Sequence, residues 1–304
     1  MKVLIVARYK ANGFAPFIKE QVAALESIGV LCHYFGINQN GIIGYLRYSC
    51  RLRRAVHDFQ PDIIHAHYGL AGLLANSQRK IPVVTTYHGT DINDNRLIKL
   101  SRWAMRLSAF NIFVSPNNAI MAHPSHNNYA VVPCGINLED YPPIEKEHAR
   151  SVLGWDPDKH YILFSGAFDN HIKNAPLAQA AVEQLNKAFL VELKGYSRSQ
   201  VALLMSAADA LVMTSISEGS PQVVKEAMAC GCPIVSVDVG DVKDITSGVE
   251  GYYIAERSAD SVAEYLRKAI NFGSRTEGRK VIEANGLDNK TIAKKLMDIY
   301  NTLV

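Results

Sequence analysis

The stretch Ser217-Glu218-Gly219-Ser220-Pro221-Gln222-Val223-Val224-Lys225-Glu226-Ala227-Met228-Ala229-Cys230-Gly231-Cys232-Pro233 decides how the chain is read. It is written as a helix with both ends marked. Ser220 is expected at the N-cap, where its hydroxyl can accept from an orphan amide two or three residues on. Pro221 then takes the first helical position, where a missing N–H costs nothing. Gly231 suits the left-handed residue after the helix, and Pro233 forbids continuation. Free amides, the positive end of the helix dipole and the bare backbone of Gly219 together make an anion site. Glu218 stands just before the cap, and Glu226 lies on the second turn, one turn beyond Gln222. By its residues alone the segment is either such a site or an ordinary crossover helix with surface glutamates.

Around this segment the chain has 304 residues, 48% hydrophobic and 20% charged, the make-up of a globular protein with room for two domains. Strand and helix patterns alternate, as parallel α/β folds require. Strands are expected at 2–7, 31–36, 62–67, 83–87, 111–114 and 131–133, with helices at 16–28, 45–59, 70–78 and 94–107. The second half restarts the pattern, with strands at 161–165, 190–194, 211–214, 233–237 and 252–254. Its helices are expected at 145–153, 175–185, 199–206, 221–230, 259–271 and 289–303. The five cysteines form no Cys-x₂-Cys pair, which favours free thiols in a reducing cytoplasm. The apolar run at residues 1–7 is too short for a signal peptide and fits a first strand. No segment approaches the roughly 18–20 apolar residues of a membrane span.

Glu-x₇-Glu around Gly-Ser-Pro, followed by Glu-Ala-Met-Ala-Cys-Gly-x-Pro, resembles the nucleotide-sugar site of the retaining family 4 glycosyltransferases (glycosyl transferases group 1). Over essentially the whole chain, the resemblance implies two Rossmann-like doubly wound domains facing a cleft, the GT-B arrangement. Residues 1–138 would form the acceptor-side domain and 139–288 the nucleotide-sugar-binding domain, with helix 289–304 returning to the first. The boundary stretch Cys134-Gly135-Ile136-Asn137 is similar to the family's Asn-Gly-Val-Asp element, with Cys134 in the usual Asn place.

In open α/β sheets ligands sit at the carboxyl ends of strands. After the first strand, Ala11-Asn12-Gly13-Phe14 contains no Gly-x-Gly-x-x-Gly, which counts against a dinucleotide oxidoreductase. Gly13 lets backbone approach a phosphate or sugar, or is a plain turn glycine. His88-Gly89-Thr90-Asp91 ends the fourth strand and matches a family element facing donor and acceptor. His65 and His67 share a strand face and read as cleft-lining or core histidines, with no third group spaced to make a metal site. His67 and Asp91 are placed on the acceptor side.

In the second half, Gly166-Ala167-Phe168-Asp169-Asn170-His171-Ile172-Lys173-Asn174 follows a strand. Relatives carry an Arg after that Gly and a Lys further on, both clamping the donor diphosphate. Lys173 fills one slot and Ala167 the other, so one cation of the pair is missing. The amides near Ser220, with Arg8, Lys10 or Lys225, would have to make up the charge. By resemblance Glu218, His88 and Lys173 are the catalytic candidates. Gly13, Gly166, Asn174, Gly219, Ser220, Pro221, Gln222, Val223 and Glu226 would hold the donor, with Glu218 on sugar hydroxyls and Glu226 on the ribose. No cofactor and no metal are implied beyond a UDP- or GDP-sugar donor.

Residues 1–138 hold fourteen Lys/Arg against six Asp/Glu, whereas the remainder is net acidic. Arg47, Arg51, Arg53 and Arg54, with Tyr45, Leu46, Tyr48 and Leu52, describe either an interfacial helix for an anionic membrane surface or a solvated basic face. A cytoplasmic protein, peripheral at the inner face of the membrane, follows from the first of these. Nucleic acid is disfavoured as a partner, because no stacking platform or reading helix accompanies the charge. The resemblance, including Asp238-Val239-Gly240-Asp241-Val242, implies sugar transfer with retention to a saccharide or lipid-linked acceptor in cell-surface polysaccharide assembly. The alternatives are a sugar-nucleotide epimerase of the same architecture, or a non-catalytic nucleotide-sugar-binding subunit.

Overall fold

The computed structural model describes residues 1–11, 13–39, 41–125 and 127–304; Asn12 of the glycine loop, Asn40 and His126, and the side chain of Ile42, lie outside the described residues. The chain divides into two compact units, Met1–Gly135 with Asn289–Val304, and Ile136–Asp288.

The first unit is built on β1 (Lys2–Arg8), β2 (Leu31–Ile37), β3 (Ile63–His67), β4 (Val83–Tyr87), β5 (Phe110–Phe113) and β6 (Tyr129–Val131). They form one sheet in the order β2-β1-β3-β4-β5-β6, with every pair parallel. Strands covered by helices on both faces read as apolar runs, and β1 shows why. Val3, Ile5 and Ala7 enter one core cluster, while Leu4 and Val6 enter the other. Helix Asn289–Asn301 closes the first cluster with Ile292, Ala293, Leu296 and Tyr300, a stripe at helical spacing. It packs beside helix Pro16–Ser27, against Ile18 and Val22.

The second unit carries β7 (His160–Phe164), β8 (Ala188–Glu192), β9 (Ala210–Met213), β10 (Ile234–Val237) and β11 (Tyr252–Ala255). Their order is β11-β10-β9-β7-β8, again parallel. At the amino ends of its strands, the buried carboxylate of Asp209 gathers Lys146 Nζ at 2.7 Å, Arg150 Nη2 at 2.7 Å and the amide of Tyr161 at 2.8 Å. Three donors on one carboxylate tie helix Lys146–Leu153 to the sheet.

Two of the helices expected in the first unit are interrupted or shortened. The 45–59 helix is divided into Gly41–Leu46 and Ser49–Phe59. The break falls where Tyr48 turns its hydroxyl onto Asn38 Oδ1. Tyr45, Tyr48 and Leu52 are buried beside Leu4 and Val6, so three of the four apolar residues assigned to an interfacial helix belong to the core. Of that set only Leu46 is exposed, at 59%. Arg51 lies over the Tyr48 ring at 5.3 Å, Arg53 reaches Ser77 O at 3.5 Å and Arg54 approaches Asp58 at 4.0 Å. The apolar side of the pattern packs on the sheet, and Arg47, Arg51, Arg53 and Arg54 stay exposed. Among the described residues no helix is long and apolar enough to cross a membrane. The 94–107 helix is likewise reduced to Ile98–Leu107, preceded by a single turn at Thr90–Asn93.

Candidate functional site

In the second sheet β7 has β8 on one side and β9 on the other. The chain therefore leaves the carboxyl ends of β7 and β9 in opposite directions, which opens a crevice at that switch point. The two loops there are 165–174 and 214–221, and they are stitched together. Ile216 N donates to Ile172 O at 2.8 Å. Thr214 Oγ1 donates to the carbonyls of Lys173 and Asn174 at 3.1 and 2.9 Å. Asn174 turns the chain with φ of +54°, one of the few conformations in which Asn substitutes for Gly. Arg257 secures the second loop from beyond β11, its Nη1 donating to the carbonyls of Thr214 and Ser215 at 3.2 and 2.7 Å.

This stitching delivers Lys173 to Glu218, with Nζ 2.8 Å from Oε1 and both side chains largely buried. Gly166 makes room for the lysine stem: a Cβ there would lie 3.0 Å from Lys173 Cγ and 3.1 Å from Cε. Gly240 does the same for the second loop. Its φ is +62°, and a Cβ would stand 2.8 Å from the Gly219 carbonyl.

The helix after this loop runs Gln222–Ala229, with Pro221 at the N-cap rather than inside it. Ser220 does not cap. Its Oγ accepts from the ammonium of Lys225 at 2.6 Å, and its hydroxyl is engaged with Asp241, so a cation of the same helix takes the oxygen that an N-cap would offer. The far end is as the sequence reads: Gly231 has φ of +64°, Gly231 N donates to Met228 O at 3.1 Å, and Cys232 N donates to Ala227 O at 2.8 Å. Those two bonds make the Schellman pattern.

Glu226 projects from the second turn of this helix and hydrogen-bonds to Tyr141. Burial pushes its carboxyl pKa up, opposed first by that hydrogen bond and then by Arg198, Lys173 and Lys225. Three cations thus act on one carboxylate, and Arg198 was not singled out in the sequence. Its signal was present, however, since Ser197 and Gln200 form a capping box that starts helix Arg198–Ala207 after β8. Arg198 Nη1 also donates to Asp140 Oδ2 at 2.8 Å. Gly166, Lys173, Asn174 and Glu218 through Val223, with Glu226, all belong to this second unit.

Gly13, His67, His88 and Asp91 belong to the first unit, at the ends of β1, β3 and β4. Gly13 has φ of +91° with the Lys19 ammonium beside it, a conformation that calls for glycine. His65, His67 and His88 form a stack, with ring centroids 4.6 and 5.2 Å apart. His65 lies between Tyr300 Oη at 2.5 Å and Thr86 Oγ1 at 2.7 Å. His67 Nδ1 meets His88 Nε2 at 3.0 Å, and His88 Nδ1 faces Cys134 Sγ at 3.7 Å. Burial holds the His65 and His88 pKa values down at about 3 and lowers that of His67 as well, so all three rings are neutral at neutral pH.

The sequence places two residues on the acceptor side, His67 and Asp91. His67 is buried in the stack. Asp91 is buried too, and its carboxylate accepts from the amides of Gly69, His88 and Gly89 at 3.0, 3.0 and 3.2 Å. With those lone pairs committed to backbone, Asp91 shapes the turn that carries His88. Burial raises its pKa to about 6 against those hydrogen bonds. The half-buried His88, flanked by Phe17 and Tyr68 rings at 4.7 Å, is the member of the stack nearest solvent. No group of three or more His, Cys, Asp or Glu suited to a metal ion occurs among the described residues.

Residues 8–140 match the family model "Glycosyltransferase Family 4", and residues 166–271 match "Glycosyl transferases group 1". The chain is 28% identical to the putative teichuronic acid biosynthesis glycosyltransferase TuaC of Bacillus subtilis, across 69% of this chain and 62% of that protein, so the match spans under two thirds of its length. Among solved structures, sucrose-phosphate synthase of Thermosynechococcus elongatus is similar with a TM-score of 0.85 at 17% identity, covering 99% of this chain and 98% of that one. HepE of Anabaena in complex with UDP has a TM-score of 0.78 at 18% identity, with both chains covered in full. At those identities the structural likeness establishes the fold, which is GT-B.

Proposed function

The chain belongs to the glycosyltransferases, and on that premise we propose that it transfers a sugar, with retention, from a UDP- or GDP-sugar to a saccharide or lipid-linked acceptor. The observation that carries this reading is the Lys173–Glu218 pair, held at 2.8 Å on the switch point beside the start of helix Gln222–Ala229. A leaving diphosphate needs positive charge, and a sugar needs hydroxyl acceptors; the pair offers one of each at adjoining atoms. Lys173 and the first-turn amides would stabilise the departing diphosphate. Glu218 would accept from sugar hydroxyls and Glu226 from the ribose. In the reaction the bond from the sugar C1 to the phosphate oxygen breaks. A bond from C1 to the acceptor oxygen forms on the same face, and the acceptor proton leaves with the diphosphate. The first unit is assigned to the acceptor, with His88 orienting it, and Gly13 remains a donor-binding candidate that allows close backbone approach. Polysaccharide assembly is supported by the teichuronic acid role named for the Bacillus relative, and a uridine donor by the UDP held in HepE.

The test is incubation with labelled UDP- and GDP-sugars, with and without lipid-linked acceptors, followed by product analysis. Acceptor-dependent release of nucleoside diphosphate, with the anomeric configuration kept in the product, is expected. Epimerised sugar without acceptor would make the protein an epimerase. Binding of UDP or GDP with no turnover of any donor would make it a binding subunit, a reading that Ala167 supports by withholding one expected cation.

A further inference from the structure

Lys225 is a lysine with no exposed surface, buried like Val224, Ala227 and Met228 of the same helix, Gln222–Ala229. An ammonium in such a place is costly unless it is paired and hydrogen-bonded. Helical side chains lean toward the N-terminus, so the stem runs back beneath the first turn and its Nζ reaches Ser220 Oγ at 2.6 Å. Because the ammonium can only donate, Ser220 turns its own hydroxyl proton toward Asp241, whose carboxylate the Lys225 charge also reaches. Asp241 is itself buried, at 3% exposure, and its Oδ1 accepts no hydrogen bond among the described residues. It follows Gly240, whose backbone lies against the Gly219 carbonyl. Lys225, Ser220 and Asp241 therefore form one buried latch beneath residues 218–221, the loop that carries Glu218.

We infer that Lys225 is a positioning residue for the donor diphosphate: a fixed cation under the 219–221 backbone that replaces the one absent at position 167, with Asp241 setting how much of its charge is neutralised. This rests on the donor site proposed above. The ammonium acts through Ser220 and the low-dielectric interior rather than by touching the ligand. Its field adds to that of the helix terminus on the same anion.

The two charges then have opposite effects, whereas a purely structural latch would weaken with either one lost. Calorimetric titration with UDP and with uridine, and with GDP and guanosine, reads this. Lys225→Met is expected to weaken nucleoside diphosphate binding about tenfold, the order of a Coulomb interaction acting through protein without contact, and to leave the nucleoside within about twofold. Asp241→Asn is expected to lower the melting temperature of the free protein yet tighten diphosphate binding several-fold. Loss of diphosphate affinity in both variants, or a parallel loss of nucleoside affinity, would overturn the inference. If either single variant fails to fold, Lys225→Met/Asp241→Leu removes both buried charges, a change buried pairs commonly tolerate. That variant should fold and still bind the diphosphate weakly; wild-type affinity in it would refute the assignment. Wild-type protein that binds neither UDP nor GDP would instead bring down the donor site itself.

Discussion

Gly166→Ala tests whether the placement of Lys173 governs catalysis. A Cβ at position 166 would meet Cγ, Cε and Cδ of Lys173 at 3.0, 3.1 and 3.3 Å, where carbon atoms prefer roughly 3.5–4.0 Å. The stem must therefore yield by about half an ångström. It is held at both ends, by Thr214 on the Lys173 carbonyl and by Glu218 on the ammonium. A shift of that size carries the 2.8 Å ammonium–carboxylate contact beyond the roughly 2.7–2.9 Å range of a charged hydrogen bond. Charged hydrogen bonds are worth about 1.5–3 kcal/mol, so kcat/KM for the donor should fall about 10- to 150-fold. Stability should barely change, because alanine restricts the unfolded chain and contributes about 0.4–1 kcal/mol the other way. Steady-state turnover of the donor and a melting curve of the same sample provide the check. Full activity would mean that the lysine stem relaxes freely and its position does not matter; a large fall in melting temperature would mean that the loop, not the lysine, was damaged.

Three further outcomes are expected. Asp209→Ala strands Lys146 and Arg150 beside an emptied site and should cost about 3–5 kcal/mol, read as a lower denaturation midpoint with donor KM unchanged in the surviving folded protein. Tyr300→Phe leaves a nitrogen of the buried His65 without its partner and should cost about 1–3 kcal/mol, a fall of about 2–12 °C in melting temperature; an unchanged melting temperature would show that the contact carries no net energy. Acid should destabilise the first unit. His65 and His88 have their folded pKa lowered from 6.5 to about 3, and His67 is lowered too. Their contribution is complete above about pH 6.5 and is lost as the pH falls toward 3. Asp91, raised to about 6, acts oppositely, since its contribution is present below its unfolded value near 3.8 and is lost as the pH rises through 6. Three imidazoles outweigh one carboxyl, and each net proton is worth about 1.4 kcal/mol per pH unit. Calorimetric melting between pH 7 and 4 should show a falling midpoint, and a rising one would contradict the neutral stack.

Both sheets were legible because buried parallel strands write themselves as apolar runs; β1 and β3 stand within one residue of their sequence reading. Short helices were harder. Helix Pro116–Ala122 was not anticipated, although Ser115 and Pro116 spell its cap and first position, and Ser115 Oγ accepts from Asn118 N at 3.2 Å. Ser220 fails as a cap because two buried charges take its hydroxyl. A hydroxyl two residues before Gln222 is a sound local signal, but Lys225 and Asp241, one on the next turn and one beyond β10, claim it. Asp91 was unreadable in the same way, because a carboxylate shows nothing of whether amides or ligands face it. The Lys173–Glu218 contact spans 45 residues of sequence. Only the switch-point rule, applied to a sheet order that the sequence does not state, brings the two together.

The C-terminal helix makes the first unit discontinuous, and this has a consequence for synthesis. Residues 1–135 emerge before Tyr300 exists, separated from residue 289 by the 153 residues of the second unit. At about 5–20 residues per second, that interval lasts roughly 8–30 s. Throughout it His65 lacks its hydroxyl partner, and Val3, Ile5, Ile18 and Val22 lack the cover of Ile292, Leu296 and Tyr300. The unit begun first is therefore completed last. A nascent chain stalled in this window exposes an apolar groove on its first half beside a second half already able to close. That groove is the place where a chaperone, or a misplaced helix from another copy, would act on this protein before its own tail arrives.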